Sequence, residues 1–181
     1  VVNDRMETSV PDIYAAGDAV QVKNFVTGDD ALISLAGPAN KQGRIIADNI
    51  CGLDSRYKGS QGSSVIKVFD MTAALTGINE RTAKTAGLNA DTVILSPMSH
   101  AGYYPGGKVM TVKVVFEKGT YRLLGAQIVG YDGVDKRIDV LATAIRAGLK
   151  ATDLKDLDLA YAPPYSSAKD PVNMAGFMID N

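Results

Sequence analysis

Tryptophan is absent from the 181-residue sequence, and cysteine and histidine occur once each, as Cys51 and His100. One cysteine closes no intrachain disulfide, and a Cys/His metal cluster needs several ligands, so a disulfide scaffold and a structural zinc site are excluded. Nor is either charge in excess. Nineteen Lys and Arg stand against 20 Asp and Glu, a net charge of -1, which offers nucleic acid or anionic lipid no broad electrostatic attraction. No uninterrupted apolar run approaches the roughly 20 residues of a membrane span, and the N-terminus lacks a basic segment followed by an apolar one. The expectation is a cytoplasmic protein with no nucleic-acid partner, no membrane and no metal. What is present is ordinary: 46% hydrophobic and 22% charged residues, the composition of a folded domain with a core. The chain opens at Val1 in the middle of a strand-like segment, which reads as a piece of a longer protein.

Two segments follow from the local patterns. In the first, Pro11-Asp12-Ile13-Tyr14-Ala15-Ala16-Gly17-Asp18 predicts a short apolar strand that stops at Gly-Asp. Leu35-Ala36-Gly37-Pro38 opens a helix, because a proline in the first turn has no N–H to lose. Ala39, Ile46, Ala47 and Ile50 share one side of it, and Gly52 suits a left-handed turn just past its end near Cys51. Gly59-Ser60-Gln61-Gly62-Ser63-Ser64 is the most linker-like stretch and predicts a boundary between domains 1–59 and 60–181.

The second segment predicts an α+β domain with a β-hairpin at its centre. Met110, Val112, Val114 and Phe116 alternate with their neighbours, Glu117-Lys118-Gly119 turns, and Tyr121 to Val129 is strand-like again. Val65 to Phe69 and Thr92 to Leu95 are further strands, and Asn79 to Ala86 has helical spacing. From Asp135 the period becomes helical, with Ile138, Leu141, Ile145 and Leu149 on one face. Thr152-Asp153 caps a shorter helix, and Asp170 with Pro171 opens the last one. Between them, Tyr161-Ala162-Pro163-Pro164-Tyr165-Ser166-Ser167 is extended, because paired prolines remove donors and fix the backbone.

Four features carry candidate chemistry, each beside a plainer reading. A strand that delivers Gly then Asp sets the Asp18 carboxylate at a ligand-binding sheet edge, where it accepts a hydrogen bond from a sugar-like hydroxyl; Asp18 as a turn cap is the plainer reading. The helix opening at Leu35 and Ala36 presents uncapped N–H groups and the positive end of a dipole to negative charge, or is an ordinary helix start. Tyrosines on the loops Ser99-His100-Ala101-Gly102-Tyr103-Tyr104-Pro105-Gly106 and Leu159 to Pro171 can donate to a thiolate or a leaving sulfur, or simply pack their rings. Cys51 reads as a packing thiol at the end of an apolar-faced helix, and His100, with no carboxylate at helical or strand spacing, as structural or exposed.

The string Thr8-Ser9-Val10-Pro11-Asp12-Ile13-Tyr14-Ala15-Ala16-Gly17-Asp18 resembles the second flavin-binding motif of two-dinucleotide-binding-domain flavoproteins, whose aspartate binds the ribityl chain of FAD. The resemblance implies Gly17 and Asp18 as FAD contacts, and the Leu35 and Ala36 backbone, at the matching distance, as neighbours of the flavin N1 and C2 carbonyl. Gln42-Gly43-Arg44 continues the match, with Arg44 in a packing or salt-bridge role. Over essentially its whole length the chain is similar to the C-terminal part of the pyridine nucleotide-disulfide oxidoreductases, in the branch of coenzyme A-disulfide reductases, NADH oxidases and polysulfide reductases. Residues 1–59 then resemble the end of an FAD-binding α/β domain, and residues 60–181 an α+β dimerisation domain, an antiparallel sheet with packed helices.

In that branch the first Tyr of Tyr-Tyr-Pro-Gly and the Tyr of Tyr-Ala-Pro-Pro-Tyr-Ser reach across a homodimer toward the partner's redox cysteine, held as a mixed disulfide with coenzyme A; here these are Tyr103 and Tyr161. The implied activity consumes NADH or NADPH and reduces coenzyme A disulfide, a persulfide or a polysulfide. The helix from Asp135 reads simply as a core helix, or as one whose Lys136 and Arg137, at its start, lie near an anionic coenzyme. The family's redox cysteine and glycine-rich nucleotide loops have no counterpart in this sequence, so the 181 residues alone are expected to be inactive. The alternatives are a dimerisation module without a catalytic role and an NADH oxidase. Persulfide-reducing members carry a rhodanese domain after a segment resembling Asn173-Met174-Ala175-Gly176-Phe177.

Overall fold

Residues 1–180 are described by a computed structural model, and their packing divides after Gly62 into two units. In the first unit the strand expected before Gly17 does not form. Only an isolated bridge joins Glu7 to Tyr14, and Gly17–Ala19 closes into a 3-10 turn. Asp12 and Gly17 both take positive φ, 62° and 79°, which breaks the extended run at each end and leaves too few residues between for a ladder. A two-residue hairpin follows, β1 (Val22–Lys23) with β2 (Asp30–Ala31), and then α1 (Ala36–Ile50). Met6, Val20 and Val22 form the core, flanked by Ile45 and Ile46 of α1.

The expected apolar face of α1 is buried only in part, at Ala39 and Ile46. Ala47 and Ile50 are exposed, while Gln42 and Asn49 are buried. Both amides satisfy irregular backbone that has no ladder of its own. Gln42 Oε1 accepts from the Gly17 N–H at 2.7 Å. Asn49 Nδ2 donates to the Arg5 and Ser55 carbonyls, and its Oδ1 accepts from the Ser55 N–H. Cys51, at the C-cap just past Ile50, is likewise exposed and is not a packing thiol.

The second unit comprises β3 (Ser64–Val68), β4 (Met71–Gly77), α2 (Glu80–Thr85), β5 (Ala90–Leu95), β6 (Thr111–Glu117), β7 (Leu123–Gly130), α3 (Val134–Ala147) and α4 (Pro171–Asp180), with a 3-10 helix over Ala151–Asp156. The strands form one antiparallel sheet in the order β3-β4-β7-β6-β5. The central hairpin is β6 and β7, as its alternation predicts. Asn79 caps α2 and Asp170 caps α4 through side-chain oxygens that accept from Thr82 and Val172 N–H, each at 2.9 Å. β4 was not anticipated, yet it lies between β3 and β7 and pairs with both.

Strand alternation gives the sheet two unlike faces. Ala74, Ile128, Val112 and Leu95 are cross-strand neighbours on the buried face, and α3 packs against β4 and β7 with Ile138, Leu141 and Ile145 buried. On the other face Ile66, Leu75, Ile94 and Val129 are exposed. α4 lies against the Ala151–Asp156 turn at a distance only glycine permits, since a Cβ on Gly176 would come 2.3 Å from the Lys155 nitrogen. Among the described residues no helix is long and apolar enough to cross a membrane.

The two faces predict opposite responses to truncation. Ile128→Ala, at a fully buried position, should lower unfolding stability by about 2–5 kcal/mol in urea denaturation, whereas Ile66→Ala on the open face should change it by no more than about 0.5 kcal/mol. Equal losses would contradict this division of the sheet.

Candidate active site

Two irregular segments of the second unit carry the conspicuous tyrosines, one between β5 and β6 and one between the 3-10 helix and α4. Pro97, Pro105, Gly106 and Gly107 keep the first out of regular structure, and hydrogen bonds then give it a defined shape. Ser99 N–H donates to the Lys108 carbonyl at 2.8 Å, and Lys108 N–H returns to Ser99 Oγ at 3.2 Å. The Nε2 of His100 faces the Tyr104 and Pro105 carbonyls at 3.3 and 3.2 Å, so it carries a proton and donates. In the neutral ring Nδ1 then accepts from the Ser99 hydroxyl at 3.1 Å. His100 is buried and acts as the internal strut of this loop.

The second segment, expected to be extended, is not so throughout: it turns through its paired prolines, where Tyr165 and Ser166 N–H both donate to the Ala162 carbonyl. Ala101 N–H joins the loops by donating to the Ser166 carbonyl at 2.9 Å, and Lys136 Nζ on α3 donates to the Ala160 carbonyl at 3.2 Å. The outcome is that Tyr103 and Tyr161, 58 residues apart in sequence, bring their phenol oxygens to 2.7 Å. Both rings are exposed.

That hydrogen bond, with a smaller contribution from desolvation, holds the Tyr161 phenol above the ordinary tyrosine range, so it keeps its proton at neutral pH. Two neutral phenols sharing one hydrogen bond use one O–H between them and leave the other O–H to point elsewhere, polarised by its neighbour. The pair is a proton donor suited to an acceptor that gains negative charge.

Beneath the pair lies Arg137, which is fully buried. It does not face outward toward an anion. Nη2 donates to the Ser99 carbonyl at 2.9 Å, to the Ser166 hydroxyl at 3.2 Å and to the Tyr165 carbonyl at 3.4 Å, and Nη1 donates to the Gly133 carbonyl at 2.9 Å. Asp170 Oδ2 completes an ion pair at 3.1 Å and accepts from the Ser166 hydroxyl at 2.6 Å. Gly133 has φ 68°, and a Cβ there would lie 2.1 Å from Arg137 Nη1, so both backbone and space demand glycine. Sequence reasoning missed this frame of Ser99, Arg137, Ser166 and Asp170. Its one legible signal is a charge between Val134, Ile138 and Leu141 on the inward side of α3.

In the first unit the 3-10 turn of Gly17–Ala19 packs against α1, fixed by the bond from Gly17 to Gln42. Asp18 is exposed. The N-cap Leu35 is extended with no side-chain cap, and the first turn of α1 holds no acidic residue. Leu35 N–H donates to the Ile33 carbonyl at 3.0 Å and Pro38 has none, so Ala36 and Gly37 supply the open amides. Arg44 pairs with Asp48 one turn on, at 3.2 Å. Among the described residues no cluster of three or more His, Cys, Asp or Glu is arranged to hold a metal ion.

Residues 63–171 match the family described as pyridine nucleotide-disulphide oxidoreductase, dimerisation domain, and the chain belongs to that family. The coenzyme A disulfide reductase of Staphylococcus epidermidis is 38% identical over 177 residues, which are 97% of this chain and 40% of that protein. Among solved structures, reduced CoADR-RHD of Bacillus anthracis superimposes with a TM-score of 0.96 at 54% identity, covering 99% of this chain and 32% of that one. A NAD-dependent persulfide reductase from A. fulgidus gives 0.96 at 47% identity, covering 99% and 33%. The chain thus spans about 40% of the length of the curated relatives it matches.

Replacing Tyr103 with Phe removes the hydrogen bond that raises Tyr161. The Tyr161 titration, followed by NMR of ring-carbon-labelled tyrosine, should move down toward the ordinary tyrosine range; an unmoved titration would contradict the pairing.

Proposed function

We propose that the chain is part of a cytoplasmic, homodimeric, FAD- and NAD(P)H-dependent reductase of coenzyme A disulfide or of a coenzyme A persulfide or polysulfide. In this reading residues 1–59 end its FAD-binding domain and residues 60–181 form its dimerisation domain. The names of the relatives support this substrate class, and the observation that carries it is the 2.7 Å phenol pair formed between the two loops.

The donor set of the first unit fits a flavin. The exposed Asp18 carboxylate would accept from a ribityl hydroxyl, and the Ala36 and Gly37 amides, at the positive end of α1, would favour negative charge on the pyrimidine edge. FAD, when bound, passes reducing equivalents from NAD(P)H to a redox cysteine outside these residues. The contribution of the second unit is to the sulfur chemistry across the dimer. When the reduced redox cysteine's thiolate attacks the substrate, a new sulfur–sulfur bond forms as the old one breaks, the electron pair leaves with the departing sulfur, and the Tyr103 and Tyr161 pair donates to that sulfur as its charge develops. A phenol held neutral serves this role at physiological pH. The 181 residues alone lack the cysteine and are expected to turn over no disulfide.

The test uses the full-length flavoprotein. Tyr103→Phe with Tyr161→Phe together should slow disulfide turnover by about 10²–10⁴-fold, the usual contribution of a positioned proton donor, with FAD content and a two-copy mass by light scattering unchanged. Unchanged turnover overturns the catalytic role, and loss of the dimer without a specific rate defect favours a pure dimerisation module. Asp18→Ala should lower retained FAD per subunit while leaving the dimer intact; full retention would contradict the ribityl contact.

A further inference from the structure

We propose that Arg137 is a positioning residue for the Tyr103 and Tyr161 pair, its buried guanidinium holding the two tyrosine-bearing loops in the one register that lets the phenols meet. The inference rests on the phenol pair being the working end of the second unit, as proposed above. Both rings are exposed, so little packing fixes the phenols themselves and their meeting depends on where the backbone puts them. The two loops belong to segments far apart in the chain. One buried side chain touches both: Ser99, four residues before Tyr103, and Tyr165 with Ser166, just after Tyr161, all receive hydrogen bonds from Arg137 Nη2.

The remaining contacts make that junction stiff. Nη1 bonds the Gly133 carbonyl at the start of the same helix, which ties the fork to α3. Asp170 pairs with the guanidinium, accepts from the Ser166 hydroxyl and caps α4 through Val172 N–H. The neighbouring Lys136 holds the Ala160 carbonyl next to Tyr161, and Ala101 N–H to the Ser166 carbonyl joins the loops directly. Acceptors spread over Nε, Nη1 and Nη2 need a planar fork of several N–H groups; a lysine ammonium, a single point of charge, cannot reach them together. Stability alone does not call for such an arrangement, because well-packed apolar residues often stabilise a fold as much as a buried ion pair does. What the pair supplies is direction: apart from the Gly133 anchor, its backbone acceptors all lie in the two tyrosine loops.

The test compares Arg137→Lys and Ser166→Ala in the full-length flavoprotein with FAD bound. Ser166→Ala removes one hydroxyl that joins Arg137 to Asp170, and so probes the junction should the lysine variant fail to fold. Two readouts are taken. A misplacement of about 1 Å can slow a reaction by about 10²-fold, so Arg137→Lys should lower kcat for the disulfide by about 10- to 100-fold with KM little changed, and Ser166→Ala should act in the same direction to a smaller extent. In both variants the Tyr161 titration should move toward the ordinary tyrosine range as its partner drifts away. If the variants melt earlier but the Tyr161 titration and kcat per folded flavoprotein stay as in the parent, Arg137 is only structural and the proposal is overturned. The titration reports the pair itself, so it decides the positioning role independently: a shifted titration with turnover indifferent to Tyr103→Phe and Tyr161→Phe upholds the positioning and overturns the function proposed for the pair.

Discussion

A guanidinium removed wholly from water must have its charge paired and its N–H groups accepted, since an unpaired buried charge is strongly disfavoured. Arg137 meets both demands, and the shape of the second unit around the phenol pair follows from how it does so. Its carboxylate comes from Asp170, its neutral acceptors from two loops and from the turn before its own helix. One loop is rich in glycine and proline, the other has paired prolines and no glycine, and neither contains a regular strand. The first is shaped by its own Ser99–Lys108 bonds and the His100 strut, and Arg137 ties it to the second. Gly133 takes the positive φ of the turn and leaves room for the guanidinium, and Asp170 serves Arg137, Lys136, Ser166 and Val172 at once.

The rest of the unit provides the platform. An antiparallel sheet with α3 on one face gives α3 a fixed seat, and the buried residues Val134, Ile138 and Leu141 turn Arg137 inward beside them. The same logic operates in the first unit with neutral groups. Gln42 and Asn49 lie buried on α1 because the segments packed there are irregular and need hydrogen-bond partners. In each unit by itself, then, polar side chains on a helix organise the irregular segments that carry its candidate residues. The opposite face of the sheet, with Ile66, Leu75, Ile94 and Val129 exposed, lies apart from this frame.

What the sequence made legible follows physical scale. Period-2 alternation in β6 and β7, the 3.6-residue pattern of α3 and the caps of α2 and α4 are local signals and were readable. β4 was not, because its run of Met71, Thr72, Ala73 and Ala74 is small-sided and weakly patterned, and its strand character comes from pairing on both edges. The expected strand before Gly17 failed for the converse reason: apolar residues were present, but left-handed backbone at Asp12 and Gly17 cut them short. Of the apolar face read for α1, Ile46 packs on the core, but Ala47 and Ile50 are exposed, and Cys51 with them, because irregular backbone needs the amide partners Gln42 and Asn49. At the site, tyrosine chemistry was readable from residue type and resemblance. The approach of Tyr103 to Tyr161 was not, since it depends on a tertiary frame whose only sequence trace is one arginine among apolar neighbours.

The most direct test of the whole account is a crystal structure of the full-length flavoprotein with coenzyme A bound as a mixed disulfide. The account predicts the Tyr103 and Tyr161 oxygens still paired and within hydrogen-bond reach, about 3.5 Å, of a sulfur held by the other subunit. Phenols directed into solvent, or a sulfur bound away from both of them, would contradict it.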